Sequence, residues 1–356
     1  MRRGRITAFA VAAGMCGGLI AAPPAPASAQ VPTDHTVLAG NFAGGPRDEL
    51  FYYAPGAETE GLFVITMVGD IPDIQLRGEF VVNGTYTPLV GDYDGDGFDE
   101  ILWYAPGSTA DFMWNFTSYT AIHSTSYPVN GVYTPTVGDY TGDSADDILW
   151  YAPGSGADYL WDYNVGGSFT SHRTTINGIY RPVSGSFGDD RTDDVFWYAP
   201  GTAADYLHDF PVGGGTATSI RHTVNGGTYV PFSLDVFNDG PGREDIFWYA
   251  PGEPLDGLWD FYDGTVWTSS EDVKGHYVAA AGDFFGDGAE DIVFENDAEL
   301  LLYEHRPIPG GVDRYEWWFV TTPAGADART TDDAGGATAV PWGPAEQIGE
   351  RTIARR

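Results

Sequence analysis

The chain has 356 residues, of which 42% are hydrophobic and 15% aromatic, and 51 acidic residues outweigh 17 basic ones to give a formal net charge of −34. Its length and apolar content are sufficient for a large buried core, whereas the negative charge excludes a binder of nucleic acid or anionic lipid. With 48 glycines, 24 prolines and only 19% charged residues, the composition favours a turn-rich, all-β fold over a helical one.

Residues 1–29 have the pattern of a secretory signal peptide. Three arginines within the first five residues precede an apolar stretch from Ile6 to Ala22, and Ala27-Ser28-Ala29 offers an A-x-A cleavage site. The single cysteine, Cys16, lies in this segment, so the exported chain would have no disulfides and no cysteine-based metal site. Removal of the signal peptide leaves 14 basic residues against 51 acidic ones, a formal charge of −37. We expect a secreted, extracellular protein without a membrane span, in which residues 30–34 form a short N-terminal stub.

A long internal repeat fills residues 35–322. The string Trp-Tyr-Ala-Pro-Gly occurs four times and Tyr-Tyr-Ala-Pro-Gly once, at intervals of 51, 47, 47 and 51 residues. A sixth, degenerate copy, GDFFGDGAEDIVFEND (282–297), keeps the apolar strand but lacks the Ala-Pro-Gly turn. Repeats of this length are typical of propellers and solenoids. The six units begin near residues 35, 86, 133, 180, 229 and 277.

Each unit contains four predicted strands separated by turns. In the third unit they are YTPTVGDY (133–140), DILWYAP (147–153), DYLWDY (158–163) and SFTSHRTTI (168–176). The second strand is an almost unbroken apolar run, which indicates that both of its faces are covered. We therefore predict an all-β fold, a β-propeller of four-stranded blades in which every sheet lies between two neighbours.

Six units favour a propeller of six blades. A seventh blade would have to come from the N-terminal stub and the residues after Thr322, and this alternative stays open. Residues 323–356 are rich in Ala, Gly, Asp and Thr and contain few large apolar residues. We predict a disordered or loosely packed tail there, with the option that a small part of it adds an edge strand to a blade.

The second unit has an acidic loop, DYDGDGFDE, between its first two predicted strands. Counting from Asp92, carboxylates occupy positions 1, 3, 5 and 9, and a glycine occupies position 6. An EF-hand is excluded, because its position 12 would be Trp103 in a strand and no helices flank the loop. Side chains at alternating positions of a tight loop converge and require a cation; Ca²⁺ accepts such oxygens in flexible geometry, whereas Mg²⁺ demands a stricter octahedron. The predicted calcium ligands are Asp92, Asp94, Asp96, the carbonyl of Phe98 and Glu100.

The segment NGTYTPLVGDYDGDGFDEILWYAPG resembles the FG-GAP repeat of integrin α-subunit β-propellers and the related bacterial repeats of the VCBS type. The shared features are a strand that ends in Gly-Asp, an Asp-x-Asp-x-Asp-Gly-x-x-Asp loop and an apolar strand after it. Glu100 stands where this pattern has Asp, and Tyr-Ala-Pro-Gly stands where it has Gly-Ala-Pro. The resemblance extends over all six units and implies a propeller with calcium in the loop between the first and second strands of some blades.

Two other units retain part of the loop pattern, so that the resemblance implies one to three calcium ions in all. In the third unit Ser144 replaces the glycine, and in the sixth Phe285 replaces the ligand at position 3. The first, fourth and fifth loops depart further from the pattern. Turns made of Asp and Gly for conformational reasons alone are the alternative for all of these loops. The additional implied ligands are Asp139, Thr141, Asp143, the carbonyl of Ala145 and Asp147 in the third unit, and Asp283, Asp287, the carbonyl of Ala289 and Asp291 in the sixth.

No candidate catalytic residue interrupts the repeat. The seven histidines lack metal-ligand spacing, and no G-x-S-x-G elbow or phosphate-binding loop occurs. We therefore expect a monomeric, non-catalytic module for binding or adhesion, with structural calcium and an extracellular protein or glycan as partner. A lectin-like glycan binder is one alternative, with Trp114, Trp161 and Trp259 stacking on sugars; packing between blades is the competing interpretation of these rings. A propeller-fold enzyme that acts on polysaccharides is the second alternative.

Overall fold

The computed structural model of the protein describes residues 35–354 except 57–58, 108–109, 189, 226–227, 238–242, 254–255, 263, 297–298, 309–311, 322–328, 332–336 and 340–344. The predicted signal peptide and N-terminal stub lie outside the described residues. Within the described ranges, every regular element of secondary structure is a β-strand. None of these residues belongs to a helix that is long and apolar enough to cross a bilayer.

Six antiparallel sheets account for most of the described chain, and each contains four consecutive strands in sequence order. The strands are β1 (Thr36–Gly40), β2 (Glu49–Tyr53), β3 (Glu60–Val68) and β4 (Ile71–Phe80) in blade 1; β5 (Thr87–Gly91), β6 (Glu100–Tyr104), β7 (Phe112–Ser118) and β8 (Ala121–Ser126) in blade 2; β9 (Thr134–Gly138), β10 (Asp147–Tyr151), β11 (Asp158–Asn164) and β12 (Ser168–Thr174) in blade 3; β13 (Arg181–Gly185), β14 (Asp194–Tyr198), β15 (Asp205–Asp209) and β16 (Thr218–His222) in blade 4; β17 (Val230–Leu234), β18 (Asp245–Tyr249), β19 (Asp256–Tyr262) and β20 (Thr265–Glu271) in blade 5; β21 (Val278–Gly282), β22 (Asp291–Asn296), β23 (Glu299–Ile308) and β24 (Val312–Thr321) in blade 6; and β25 (Arg329–Thr331), β26 (Ala337–Ala339) and β27 (Ala345–Ala354) in the tail.

The six sheets close into a ring. Strands β1, β5, β9, β13, β17 and β21, the first of each sheet, contact one another in that order, and β21 returns to contact β1. The fourth strands of blades 2, 3 and 4 are mostly exposed and lie at the rim. The prediction of an all-β propeller with six four-stranded blades is therefore confirmed, and the described residues form no seventh blade.

Part of the predicted tail is ordered. Strand β27 pairs antiparallel with β24 as a fifth strand of blade 6, and it also contacts β4 of blade 1. Without it, the ten-residue β24 would be a long sheet edge with unpaired backbone groups. For residues 345–354 the structure has the added edge strand that the sequence analysis kept as an option, in place of a disordered or loosely packed tail. An edge strand is held by its backbone hydrogen bonds, so a low content of large apolar residues does not prevent it.

The Trp-Tyr pair of the second strand builds the interfaces between blades. Successive side chains of a strand point to opposite faces, so the tryptophan and the tyrosine enter different interfaces. Trp150 packs against Tyr104 of the preceding blade, and Tyr151 packs against Trp197 of the following blade, both with ring centroids 5.0 Å apart. These rings are fully buried. The equivalent contacts at two other interfaces are Tyr53–Trp103 and Tyr198–Trp248.

The interface between the last blade and the first uses different chemistry. Blade 6 has Phe294 and Glu295 in place of the Trp-Tyr pair. Phe294 packs on Tyr249 of blade 5 with ring centroids 5.3 Å apart, whereas Glu295 forms a buried hydrogen bond with His35 at the beginning of blade 1. A buried polar pair thus takes the place of the second-strand aromatic pair where the ring closes, beside an apolar cluster that includes Tyr52, Phe63 and Trp318.

The tyrosine hydroxyl fixes the linker that leads to the next blade. Oη of Tyr104 donates to the carbonyl of Gly131 at 2.9 Å and accepts from the amide of Tyr133 at 2.9 Å. Gly131 has a φ of 143°, and a Cβ there would lie 2.3 Å from the Tyr133 ring, so glycine is required. This arrangement accounts for the recurring Gly-x-Tyr string at the start of the units. The sets with the same two hydrogen bonds are Tyr53, Gly84 and Tyr86; Tyr151, Gly178 and Tyr180; and Tyr249, Gly275 and Tyr277.

Six half-buried carboxylates, which we call the inner carboxylate ring, join consecutive blades near their first strands. Each lies just before the second strand of its blade and accepts a hydrogen bond of 2.7 to 3.3 Å from a backbone amide in the preceding blade. Gly91 makes room for Asp146, since a Cβ there would lie 2.8 Å from its Oδ2. Desolvation raises the pKa of Asp48 to about 7 and that of Asp193 to about 6. The members are Asp48, Asp99, Asp146, Asp193, Glu244 and Glu290.

In calcium-free buffer with EDTA, the stability of the chain should fall as the pH rises from about 5 to about 7. Desolvation raises the pKa values of Asp48 and Glu290 in the folded state to about 7, from ordinary values of 3.8 and 4.5. Within this window the unfolded chain has released these protons and the folded chain still holds them, so unfolding becomes more favourable as the pH rises. Thermal unfolding followed by circular dichroism at each pH measures the effect.

The matched control for this pH dependence is Asp48→Asn. The asparagine keeps an acceptor oxygen for the amide of Asp283 but cannot ionise, so the melting temperature of this variant should depend less on pH than that of the wild type. A wild-type melting temperature that increases between about pH 5 and about pH 7 contradicts the assignment.

Replacement of Trp150 by alanine should lower the free energy of unfolding by about 3–5 kcal/mol, because the ring fills the interface between blades 2 and 3. Val132→Ala is the matched truncation at an exposed position, where 69% of the residue is accessible, and it should change stability by less than about 0.5 kcal/mol. Urea denaturation at constant calcium measures both variants. A loss of less than about 1 kcal/mol in Trp150→Ala would show that this interface is not a main source of stability.

Candidate metal centre

The acidic loop of blade 2 connects β5 to β6 and brings three of its predicted ligands together. Ligand oxygens of Asp92, Asp94 and Glu100 all lie within 4.8 Å of one another, and the part of the chain that the structure describes contains no other such group of three or more His, Cys, Asp or Glu side chains. Oδ1 of Asp94 is buried and has no hydrogen-bond partner. Because an unsatisfied buried carboxylate oxygen is costly, this geometry fits a divalent cation in the loop.

Hydrogen bonds within the loop hold this arrangement. Asp92 accepts from the amides at positions 5 and 6 at 3.0 and 2.8 Å, and Gly97 at position 6 has a φ of 91°. Glu100 is buried at the start of β6, where its Oε1 accepts from Nδ2 of Asn115 at 2.8 Å. The backbone thus orients the carboxylates at positions 1 and 9 and leaves the oxygen of Asp94 between them unpaired.

The other two predicted ligands of blade 2 lie at the exposed side of the loop. Oδ1 of Asp96 accepts from the amide of Phe98 at 3.0 Å. The side chain of Phe98 is exposed and lies against Gly44 of blade 1. The structure therefore brings together three of the four predicted carboxylates of this loop and leaves Asp96 outside the converging group.

Burial and crowding raise the pKa values of these carboxyls. Burial, followed by the charge of Asp94, raises the pKa of Glu100 to about 8. Burial, Asp96 and Asp92 together raise the pKa of Asp94 above its ordinary value. A divalent cation among them would favour the ionised forms instead. Metal binding would therefore release protons and become tighter as the pH rises.

The loop of blade 3 has the same backbone form. Asp139 accepts hydrogen bonds of 2.6 to 3.0 Å from the amides at positions 4 to 6, and Ser144 has a φ of 73° in place of the glycine. Oγ1 of Thr141 and Oδ2 of Asp147, at positions 3 and 9, are buried without hydrogen-bond partners. Burial raises the pKa of Asp147 to about 8. Two unpaired oxygens at ligand positions fit a second cation.

The loop of blade 6 has this form but offers less to a cation. Asp283 accepts hydrogen bonds of 2.6 to 3.0 Å from the amides at positions 4 to 6. Both carboxylate oxygens of Asp291 accept backbone hydrogen bonds, and no predicted ligand of this loop has a buried oxygen without a partner among the described atoms. Arg47 of blade 1 also donates to the carbonyl of Phe285 at 3.1 Å. The fit to a metal ion is therefore better in blades 2 and 3.

In the loops of blades 3 and 6, the remaining predicted ligands are the residues at positions 5 and 7, and a hydrogen bond joins them. Asp143 accepts from the amide of Ala145 at 3.1 Å, and Asp287 accepts from the amide of Ala289 at 3.2 Å. Such bonds are typical of Asp-initiated turns. These hydrogen bonds account for the shape that the two loops share.

Hydrogen bonds attach each of the candidate loops in blades 2 and 3 to the following blade. In blade 2, the amide of Asp92 donates to the inner-ring carboxylate Asp146 at 2.9 Å, and the carbonyl of Asp94 accepts from the amide of Gly166 at 2.6 Å. In blade 3, the carbonyl of Thr141 accepts from the amide of Gly213 at 2.8 Å. Sequence reasoning missed these contacts because the partners belong to the next repeat. The glycine pairs at 166–167 and 213–214 were the one sequence signal of these contacts, because the amides of Gly166 and Gly213 make them.

The three tryptophans considered for sugar binding lie in the interfaces between blades. Trp114 is buried and packs edge-on against Trp103 with ring centroids 5.2 Å apart. Trp161 is half-buried and stacks on Phe169 at 4.4 Å, and Trp259 is half-buried with its ring 5.2 Å from that of Trp248. The acidic partner Asp260 is also buried. Packing accounts for these rings, and glycan binding by them stays a prediction.

Comparison with known proteins gives one family match. Residues 84–120 match the family model described as FG-GAP repeat, a segment that spans β5, the acidic loop, β6 and β7. No curated protein matches the chain. Among solved structures, a chain of the Photorhabdus luminescens Tc holotoxin pore is 11% identical, with a TM-score of 0.34, over 79% of this chain and 17% of its own length.

The segment that matches the family model is the repeat in which the loop pattern is complete. The sequence resemblance is thus confirmed: the chain is a six-bladed β-propeller that carries an FG-GAP repeat.

Proposed function

We propose that the chain is a secreted, calcium-binding propeller that serves as a non-catalytic binding or adhesion module. The observation that carries this proposal is the convergence of Asp92, Asp94 and Glu100 within 4.8 Å, together with the buried, unpaired Oδ1 of Asp94. Oxygen-only ligands in a flexible loop suit Ca²⁺ better than Mg²⁺ or a transition metal.

Calcium in this proposal is structural. It neutralises carboxylates that repel one another and so fixes the loop. Because the backbone of this loop is hydrogen-bonded to the following blade, the ion also stiffens the interface between the two blades. In blade 2 the ion would be held by the converging carboxylates of Asp92, Asp94 and Glu100. The loop pattern also predicts Asp96 and the carbonyl of Phe98 as ligands, but Asp96 lies outside the converging group. The unpaired oxygens of Thr141 and Asp147 support a second ion in blade 3, and blade 6 is a third candidate.

The partner in this proposal is an extracellular protein or glycan. A propeller presents its loops on two flat faces, and repetition of a weak contact around the ring adds avidity. A catalytic role is not proposed, because metal binding and inter-blade hydrogen bonds account for the carboxylates that the repeat places together. Turnover of a polysaccharide by the purified chain would contradict this part of the proposal.

Calcium should raise the thermal stability of the wild-type chain, and Asp94→Ala should remove most of the increase. A site that binds only the folded state stabilises it by about 2.7 kcal/mol when free calcium is 100 times the Kd. In EDTA, Asp94→Ala should melt at or above the wild-type temperature, because it removes like-charge repulsion. Magnesium should give a smaller shift than calcium. Thermal unfolding across a calcium titration measures all three effects.

The control for Asp94→Ala is Asp70→Ala, which removes the same charge from an exposed turn in blade 1. It should keep the full response to calcium. If calcium leaves the melting temperature of the wild type unchanged, or if Asp70→Ala and Asp94→Ala lose equal amounts of the response, the calcium site in blade 2 is wrong.

A further inference from the structure

Blade 4 carries a histidine at two positions where other blades carry a large aromatic ring. His222 ends β16 opposite the first residue of the third strand, which is the register position of Phe80 in blade 1. His208 on β15 stands opposite the second residue of the second strand. The residues at that position in blades 2, 3 and 5 are Trp114, Trp161 and Trp259. Because successive residues of a strand point to opposite faces, the two histidines enter different interfaces of the blade.

The imidazole of His222 lies in the apolar interface between blades 4 and 5. Its ring centroid is 5.5 Å from that of Phe196 in its own blade, and 5.9 and 6.4 Å from those of Trp259 and Phe261 in blade 5. Nε2 is buried and has no hydrogen-bond partner among the described atoms. The remaining side chains that the strands of blade 5 contribute to this cluster are also uncharged: Ile246, Trp248 and Val266. A proton on Nε2 therefore finds no acceptor.

The carboxylate that acts on His222 is Asp205, its partner on the neighbouring strand. Its oxygens already accept hydrogen bonds from the amides of Ala199 and Val224, at 2.8 and 2.7 Å. Burial lowers the pKa of His222 below its ordinary value of 6.5, and Asp205 offsets part of this effect. The other titratable side chains on that face of blade 4, in the cluster or bonded to it are Asp194, Asp209, Arg181, Tyr198 and Tyr229.

The imidazole of His208 lies on the face that blade 4 turns to blade 3. It meets the ring of Trp197 edge-on with centroids 5.6 Å apart, and Trp197 packs on Tyr151 of blade 3. Burial lowers the pKa of His208 below its ordinary value of 6.5. Phenol hydroxyls of the same cluster carry no charge in acid. The charged or basic side chains on the facing sides of the neighbouring strands are Arg221 of β16 and Asp147, Asp158, Asp162 and His172 of blade 3.

We propose that blade 4 is an acid-labile element of the propeller, in which protonation of His208 and His222 places a cation in each of its two interfaces and loosens the blade from both neighbours. A neutral imidazole packs as an aromatic ring does, whereas an imidazolium carries into the interface a charge whose desolvation is costly. Below about pH 6.5 the unfolded chain holds protons that these two imidazoles release on folding. Their contribution to stability is therefore present above that pH and lost as the pH falls, in the opposite sense to the inner carboxylate ring.

Thermal unfolding of the full chain between pH 5 and pH 8 tests the proposal. Relative to the wild type, the melting temperature of His222→Phe should be higher at pH 5 than at pH 8 by about 2 °C or more, and His208→Phe should behave in the same way. Comparison at the same pH removes the effect of the carboxylates. Neither histidine belongs to a predicted set of calcium ligands, so the result should be the same with calcium and with EDTA.

The matched control is His123→Phe, at an exposed position of β8, whose difference from the wild type should be the same at every pH. Differences that do not change with pH in His222→Phe and His208→Phe overturn the proposal. Differences that decrease in acid overturn it as well, since they would show that the aromatic rings hold the imidazolium as a favourable cation.

His222→Asn keeps the test decisive if His222→Phe fails to fold. The asparagine cannot titrate, so this variant should be less stable than the wild type at pH 8 and recover part of the deficit at pH 5. Hydrogen exchange of the wild type locates the effect. After correction for intrinsic rates, the amides of β15 should lose more protection between pH 7 and pH 5 than those of β7 in blade 2. Equal losses in β15 and β7 overturn the assignment to blade 4.

Discussion

The contact between the second strands of consecutive blades is the interaction on which the rest of the structure depends. A blade by itself would expose an apolar strand on both faces, and each face is covered only when a neighbour contributes an aromatic ring. Tyr104 against Trp150 and Tyr151 against Trp197 show how one dipeptide serves two interfaces. Since every blade needs a neighbour on each side, the sheets are complete only in a closed ring.

Closure of the ring creates an electrostatic problem in a chain with a net charge of −34. It gathers the six carboxylates of the inner carboxylate ring, and it places acidic loops beside the following blade. Backbone amides and retained protons compensate the inner ring, as the raised pKa of Asp48 indicates. In the loop of blade 2 the carboxylate of Asp94 has an oxygen that no amide reaches. The two environments differ in the supply of donors, which is the physical reason for the proposed cation in the loop.

The sequence alone was sufficient to predict the repeat, the six blades and the shape of the acidic loops, because each of these depends on residues close together in the chain. Asp92 and Glu100 belong to one turn, and their convergence follows from its register. The inner carboxylate ring was not predictable in the same way, since the amide of Asp92 finds its acceptor in Asp146 of the next blade. The edge strand β27 was predictable only as an option, because its backbone, rather than apolar side chains, attaches it to blade 6.

The hydrogen bond between His35 and Glu295 lies at the junction where blade 6 meets blade 1 and the ring closes. The five other junctions join second-strand aromatic rings across the blades, whereas this one adds a buried polar pair to an apolar cluster that includes Tyr52, Phe63 and Trp318. A displaced partner would leave a buried polar atom unsatisfied, so this pair makes the closure of the ring depend on the alignment of blade 6 with blade 1. Strand β27 bridges the same junction, because it pairs with β24 of blade 6 and also contacts β4 of blade 1.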